Sequence, residues 1–151
     1  MEVVVVDATK LNKLARFSFK GYGQIESFFL KLKGQGKALV APEITVVRAW
    51  ESFRRKTALP EEEKVKALYL GKVELLIDRV VPARLYEDFL EVADSVLKDD
   101  DPEKEDAHVL ACALAYRALG LKTAIWSDDR DFLLKARLLK EKFSVEVFSL
   151  A

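Results

Sequence analysis

Four aspartates stand where a carboxylate needs a physical reason. Asp7 closes the apolar run Val3 to Val6, and Asp129 follows a second apolar run, Thr123 to Trp126. Asp131 lies two residues beyond Asp129, and Asp106 opens one of the most apolar helical stretches in the chain. A carboxylate in such surroundings must be paired, solvated or bound to a cation. Two of them about 4 Å apart repel by roughly 4 kcal/mol at an effective dielectric of 20, and a divalent cation reverses that sign. The donors are all oxygen, and the single histidine and single cysteine offer no ligand spacing, so the expected ion is Mg²⁺ or Mn²⁺ rather than zinc. Such a pocket suits phosphoryl chemistry, in which one or two ions activate a water and neutralise charge on the phosphate.

Each residue also has an ordinary reading. Asp131 fits a metal ligand and, equally, a first-turn acid of a helix capped by Ser127 or Asp128. Asp7 as a solvated turn acid is the alternative to Asp7 as a ligand. Asp101 before Pro102 reads as a helix cap, and Glu103 and Glu105 as first-turn acids that suit the helix dipole. His108 has no Ser, Cys or ligand partner at a catalytic spacing and reads as structural. Trp50 and Trp126 read as core rather than as stacking platforms. Two basic groups, Lys31, Lys33 and Lys37 and then Arg54, Arg55 and Lys56, are the candidates for contact with a phosphate backbone, although a solvated helix face is the commoner meaning.

The elements that must position these residues alternate. Val3 to Val6 and Thr123 to Trp126 read as buried strands, as do Ala38 to Val40 and Val145 to Phe148, with a short strand or bent connection between Val73 and Val81. Helices are expected from about Ile25 to Leu32, from Pro42 and Glu43 to about Lys56, from Pro60 onward, from Pro82 to Val96, from Pro102 to about Leu119, and after Phe132 to about Lys142. The pattern predicts an α/β chain, three-layer α/β/α, with a central and mainly parallel sheet of about four to five strands. One domain over 1–151 with a helical insert at about 60–98 is expected. Ligands of such sheets bind beyond the carboxyl ends of the strands, where Asp7 and Asp129 fall.

Half of the 151 residues are hydrophobic, enough for a substantial core but few for two. Lys plus Arg equals Asp plus Glu at 25 each, so a nucleic-acid surface must rest on local clustering. No stretch approaches the roughly twenty apolar residues of a membrane span, and no signal-peptide layout opens the chain, which predicts a cytoplasmic protein that does not engage membranes. Cys112 reads as a core thiol. The abundance of charge beside three amides, Asn12, Gln24 and Gln35, is a balance common in heat-loving organisms.

VVVVDAT at the start, EDAHVLACALA in the middle and IWSDDRDF near the end together resemble the PIN-domain nucleases, a family that includes VapC-like toxin ribonucleases. The segment from Val81 to Phe132, with VPARLYEDF, is similar to the archaeal and bacterial branch. The resemblance implies an Mg²⁺- or Mn²⁺-dependent ribonuclease with Asp7, Asp106, Asp129 and Asp131 as metal-binding acids and Thr9 and Ser127 as lesser polar contributors. It also implies RNA as substrate, an antitoxin protein as a partner and a homodimer. Where the family places a glutamate after a proline like Pro42, this chain has Arg48 and Ala49, and Glu51 one turn later is the candidate replacement. An arginine there would compete with a cation for the acids. The alternative function is therefore a catalytically weakened PIN-like RNA-binding or partner-binding module. A third is an acid-lined phosphatase or 5′-nuclease-like enzyme.

Overall fold

Four consecutive valines can bury both faces of a strand, and Val3 to Val6 do so at the centre of the sheet. The computed structural model describes residues 1–98 and 105–150. In chain order it contains β1 (Glu2–Val6), α1 (Ala8–Lys20), α2 (Ile25–Gly34), β2 (Ala38–Pro42), α3 (Glu43–Lys56), α4 (Glu62–Leu76) and β3 (Arg79–Val81). Two 3₁₀ turns, Ala83–Leu85 and Glu87–Phe89, lead to α5 (Leu90–Leu97), and the chain finishes with α6 (Glu105–Ala118), β4 (Lys122–Trp126), α7 (Arg130–Leu134), α8 (Ala136–Phe143) and β5 (Val145–Phe148).

The five strands run in the order β3-β2-β1-β4-β5, and every neighbouring pair is parallel. Alternation along the strands divides the core. Val4, Val6, Leu39, Ala41 and Trp126 pack with residues of α1 to α4, whereas Val3, Val5, Val40, Ile125 and Val145 pack with residues of α5, α6 and α8. The result is the three-layer α/β/α arrangement. Cys112 is a fully buried free thiol of α6, and Trp50 and Trp126 are core residues. Chain order reverses direction beside β1, since β2 lies on one side of it and β4 on the other. That switch point opens a crevice at the strands' carboxyl ends.

Three segments differ from the expectation. The stretch after Asp7 is the thirteen-residue helix α1, whose Lys10, Leu11, Leu14 and Ala15 are buried at helical spacing. Pro82 opens a 3₁₀ turn rather than a helix, because Tyr86 is drawn into the core and its hydroxyl lies 2.7 Å from His108 Nδ1. His108 is thus structural, as its isolation predicts. The last helix is broken at Lys135, whose ammonium turns back to donate to the carbonyls of Val96 and Leu97 at the end of α5. The cap expected at Asp101 and the first-turn acid at Glu103 lie outside the described residues.

Asp78 ties α4 to the sheet. Its amide donates to the Leu39 carbonyl at 2.8 Å, its Oδ2 accepts from the buried Leu39 amide at 2.8 Å, and its Oδ1 accepts from Lys33 Nζ at 2.6 Å. Partial burial pushes this carboxyl up, but the Lys33 and Leu39 hydrogen bonds and the Lys33 charge outweigh it and hold it below the ordinary carboxylate range. The solvent-facing Lys33 pair adds little. Stranding the Leu39 amide costs more. Asp78→Ala is expected to lose about 1–2 kcal/mol in urea unfolding at neutral pH. A folded-state value below the unfolded one means that the stability is present above the unfolded carboxylate range and is lost as pH falls through the folded value. The gap between wild type and variant should therefore close in acid, and a gap that is constant with pH would contradict this role.

Candidate metal centre

β1 and β4 are hydrogen-bonded neighbours, so the residues that leave their carboxyl ends must meet. Asp7 donates its amide to the Trp126 carbonyl at 3.0 Å, and its own carbonyl accepts the first amides of α1, from Lys10 and Leu11. Across the gap, Ser127 accepts no fewer constraints: its amide donates to the Phe148 carbonyl at 3.0 Å. α6 brings Asp106 from the other layer. Asp7, Asp106 and Asp129 each present an oxygen within 4.8 Å of the others, with Asp7 buried and the other two half-buried. Among the described residues these three form the acidic cluster of metal-binding size.

Two hydroxyls set the geometry. Ser127 Oγ donates to Asp7 Oδ2 at 2.6 Å and accepts from the Asp129 amide at 2.9 Å. Thr9 Oγ1 donates to the same Oδ2 at 3.1 Å and accepts from the Asp128 amide at 2.9 Å. Asp7 Oδ1 is buried and accepts no hydrogen bond. An orphaned, buried oxygen on a carboxylate that meets two further carboxylates fits a hard divalent cation, and the all-oxygen donor set fits Mg²⁺ or Mn²⁺. Asp129 also caps α7, its Oδ1 accepting from the Asp131 amide at 2.8 Å.

A cavity of about 560 Å³ opens over the three acids and is lined by Asn12, Lys13, Arg16, Arg48, Ser52, Lys56, Glu105 and Asp128 as well. Arg48, Ser52 and Lys56 share one face of α3, and Arg48 Nη1 lies 3.8 Å from Glu105 Oε1. Behind the acids, Lys10 is fully buried against the Trp126 ring, 5.2 Å from its centroid, and pairs with Asp128 Oδ1 at 2.7 Å. Lys13 takes the other Asp128 oxygen at 2.7 Å.

The candidate residues divide accordingly. Asp7, Asp106 and Asp129 converge, and Thr9 and Ser127 touch Asp7. Asp131 is an exposed first-turn residue of α7 and is outside the cluster. Glu51 pairs with Arg54 at 2.8 Å, and Arg54 also reaches Glu62. Neither Glu51, Arg54 nor Arg55 lines the cavity. Lys33 and Lys37, two of the candidates for phosphate contact, do not line the cavity over the acids. Lys37 pairs with Glu2 at the opposite end of β1, because β2 runs parallel to β1 and begins at that end. Of the two basic groups Lys56 lines the cavity, and the other cations there are Arg48 of α3 and Lys13 and Arg16 of α1. The signal for the α1 pair was the spacing of Lys10, Lys13 and Arg16 against Leu11, Leu14 and Ala15.

Burial pushes the Asp7 carboxyl up and the neighbouring Asp129 charge adds to it, while the hydrogen bonds from Ser127 and Thr9 and the nearby Ala8 amide offset part of the rise. With its folded value above the unfolded one, Asp7 costs the metal-free protein stability as pH rises from the ordinary carboxylate range through the folded value. At 4.8 Å, two carboxylates repel by about 3 kcal/mol at an effective dielectric of 20. Asp7→Asn is therefore expected to raise the melting temperature of the metal-free protein at neutral pH by about 5 °C. It should also abolish the further rise that Mn²⁺ produces in wild type. Thermal denaturation with EDTA and with Mn²⁺ reads both, and a variant that melts lower than wild type in EDTA contradicts the site.

A profile of the PIN domain matches residues 25–145, a span that holds Asp106 and Asp129 and begins after Asp7. No curated protein and no solved structure matches the chain. With its five-stranded parallel sheet and helices on both faces, the chain belongs to the PIN-domain family, whose fold is of the nuclease type.

Proposed function

We propose that the protein is a divalent-metal-dependent ribonuclease that hydrolyses RNA phosphodiester bonds. The observation that carries this reading is the convergence of Asp7, whose Oδ1 is buried and unsatisfied, with Asp106 and Asp129 beneath a cation-rimmed cavity. Asp7, Asp106 and Asp129 would hold Mg²⁺ or Mn²⁺, which when bound supplies Lewis-acid activation of water and neutralisation of phosphate charge. The chain's own residues do the rest. Ser127 and Thr9 occupy one oxygen of Asp7 and so aim the other at the acids, which makes them positioning residues rather than substrate contacts. Lys13, Arg16 and Lys56 offer positive charge to the phosphates on either side of the scissile bond. Asp131, Glu51, Arg54 and Arg55 carry no role in the reaction on this reading.

The family resemblance extends the proposal to a cytoplasmic toxin with an antitoxin partner, assembled as a homodimer. Sedimentation velocity tests the last of these directly.

Single-stranded RNA incubated with purified protein and Mn²⁺ should be cleaved, and EDTA should stop the reaction. Asp129→Asn is expected to lose at least about 100-fold in rate, and Ser127→Ala to weaken Mn²⁺ binding about 10- to 100-fold. Equal cleavage by wild type and Asp129→Asn would sink the assignment.

Arg48 favours a second reading, a weakened nuclease that binds RNA or a protein partner. Its guanidinium stands in the cavity beside Glu105, where it competes with a cation for negative charge. Calorimetric titration with Mn²⁺ separates the two. No metal uptake by wild type, with uptake recovered in Arg48→Glu and RNA binding retained, would establish the second.

A further inference from the structure

We propose that the RNA strand leaving the metal centre runs along α1 and stacks one of its bases on Tyr22, its phosphates held by Arg16 and Lys20. This rests on the ribonuclease reading and names the strand's path. A second cavity, of about 350 Å³, lies beside the first and is lined by Lys13, Arg16, Phe17, Lys20, Tyr22 and Phe28 among others. Lys13 and Arg16 line both cavities, so the two adjoin along α1.

The spacing of Lys13, Arg16 and Lys20 keeps the three cations on one helix face, spread over about 10 Å of axis. Arg16 and Lys20 are exposed and have no acidic partner among the described residues. The row leads from the acids, with Asp7 at the N-terminus of the same helix, to the loop that follows Lys20.

Tyr22 stands on that loop. Its residue is 72% exposed, and it is the only aromatic among the exposed large hydrophobic residues described. Gly21, at φ +74°, caps the end of α1 by donating its amide to the Phe17 carbonyl, and Gly23 follows at φ +134°, so two glycines that adopt conformations rare for other residues flank Tyr22 and turn the chain at the cavity. Cations that follow a backbone and a free aromatic face beside an apolar floor of Phe17 and Phe28 are the combination that binds single-stranded nucleic acid without reading its sequence. An acidic peptide would use the cations and leave the ring idle.

The test uses the full chain carrying Asp129→Asn, so that binding is read without cleavage, with a labelled single-stranded oligoribonucleotide and fluorescence anisotropy. Adding Tyr22→Ala should weaken binding about 5- to 100-fold, whereas Tyr22→Phe should retain it. Arg16→Ala and Lys20→Ala should each lower the slope of log affinity against log salt by about 0.7. Abasic substitution along the strand should find one position that weakens the parent and leaves Tyr22→Ala unaffected. Circular dichroism confirms that each variant folds. An unchanged affinity in Tyr22→Ala, with RNA still bound, overturns the path and leaves the ribonuclease reading standing. Failure of the parent to bind RNA that the wild type cleaves overturns the path alone, and failure of the wild type to bind or cleave RNA overturns both. A polyglutamate peptide that displaces the RNA and binds Tyr22→Ala as well as the parent also overturns the path.

Discussion

The Ser127 hydroxyl donates to Asp7 Oδ2 and accepts the Asp129 amide, so a single buried side chain sets the spacing of two of the three converging acids. Thr9 repeats the device between Asp7 and the Asp128 amide. Both hydroxyls are used as donor and acceptor at once, and neither can turn away without stranding a buried partner. The loops after β1 and β4 are thereby joined across the point where the sheet's order reverses. What remains over from this bonding is one oxygen of Asp7, buried and unsatisfied, and the centre is organised around it.

Charge is layered about that oxygen. Innermost stand three carboxylates whose mutual repulsion works against the fold. Beneath them Asp128 is held away from the cluster by Lys10 and Lys13, and burial of Lys10 against Trp126 anchors that pair in the core. Outermost, Arg16, Arg48 and Lys56 rim the cavity with positive charge. A metal-free protein bears this arrangement as a cost in stability. Such strain persists only where the surrounding structure over-determines it, and here the parallel sheet and the hydroxyl pair do so.

Much of the frame was legible because it rests on local signals. The valine run, the Thr123 to Trp126 run and the proline at the start of α3 each dictate an element irrespective of the remainder of the chain. The α1 helix was less legible. Its apolar positions are interleaved with three lysines, one of which, Lys10, is buried by a tertiary ion pair that no local pattern announces. The 3₁₀ turns after Pro82 are likewise a product of Tyr86 docking on His108 across the layers.

The site divides in the same way. Placing an aspartate at the end of a buried strand is a statement about one segment, so Asp7 and Asp129 could be read in the sequence. Asp106 could too, as an acid in an apolar helix. Asp131 and Glu51 satisfy similar local criteria, and the tertiary structure leaves both outside the acidic cluster and the cavity lining: Asp131 lies in the first turn of α7, and Glu51 pairs with Arg54. The Ser127 and Thr9 clamp and the cations of α1 were decided there as well. Hydrogen bonds and charge depend on distances between elements, and those distances are set by how the sheet is ordered and covered. The sequence alone determined which residues could bear the charge; the packing of β1 beside β4, beneath α1 and α6, determined which of them meet.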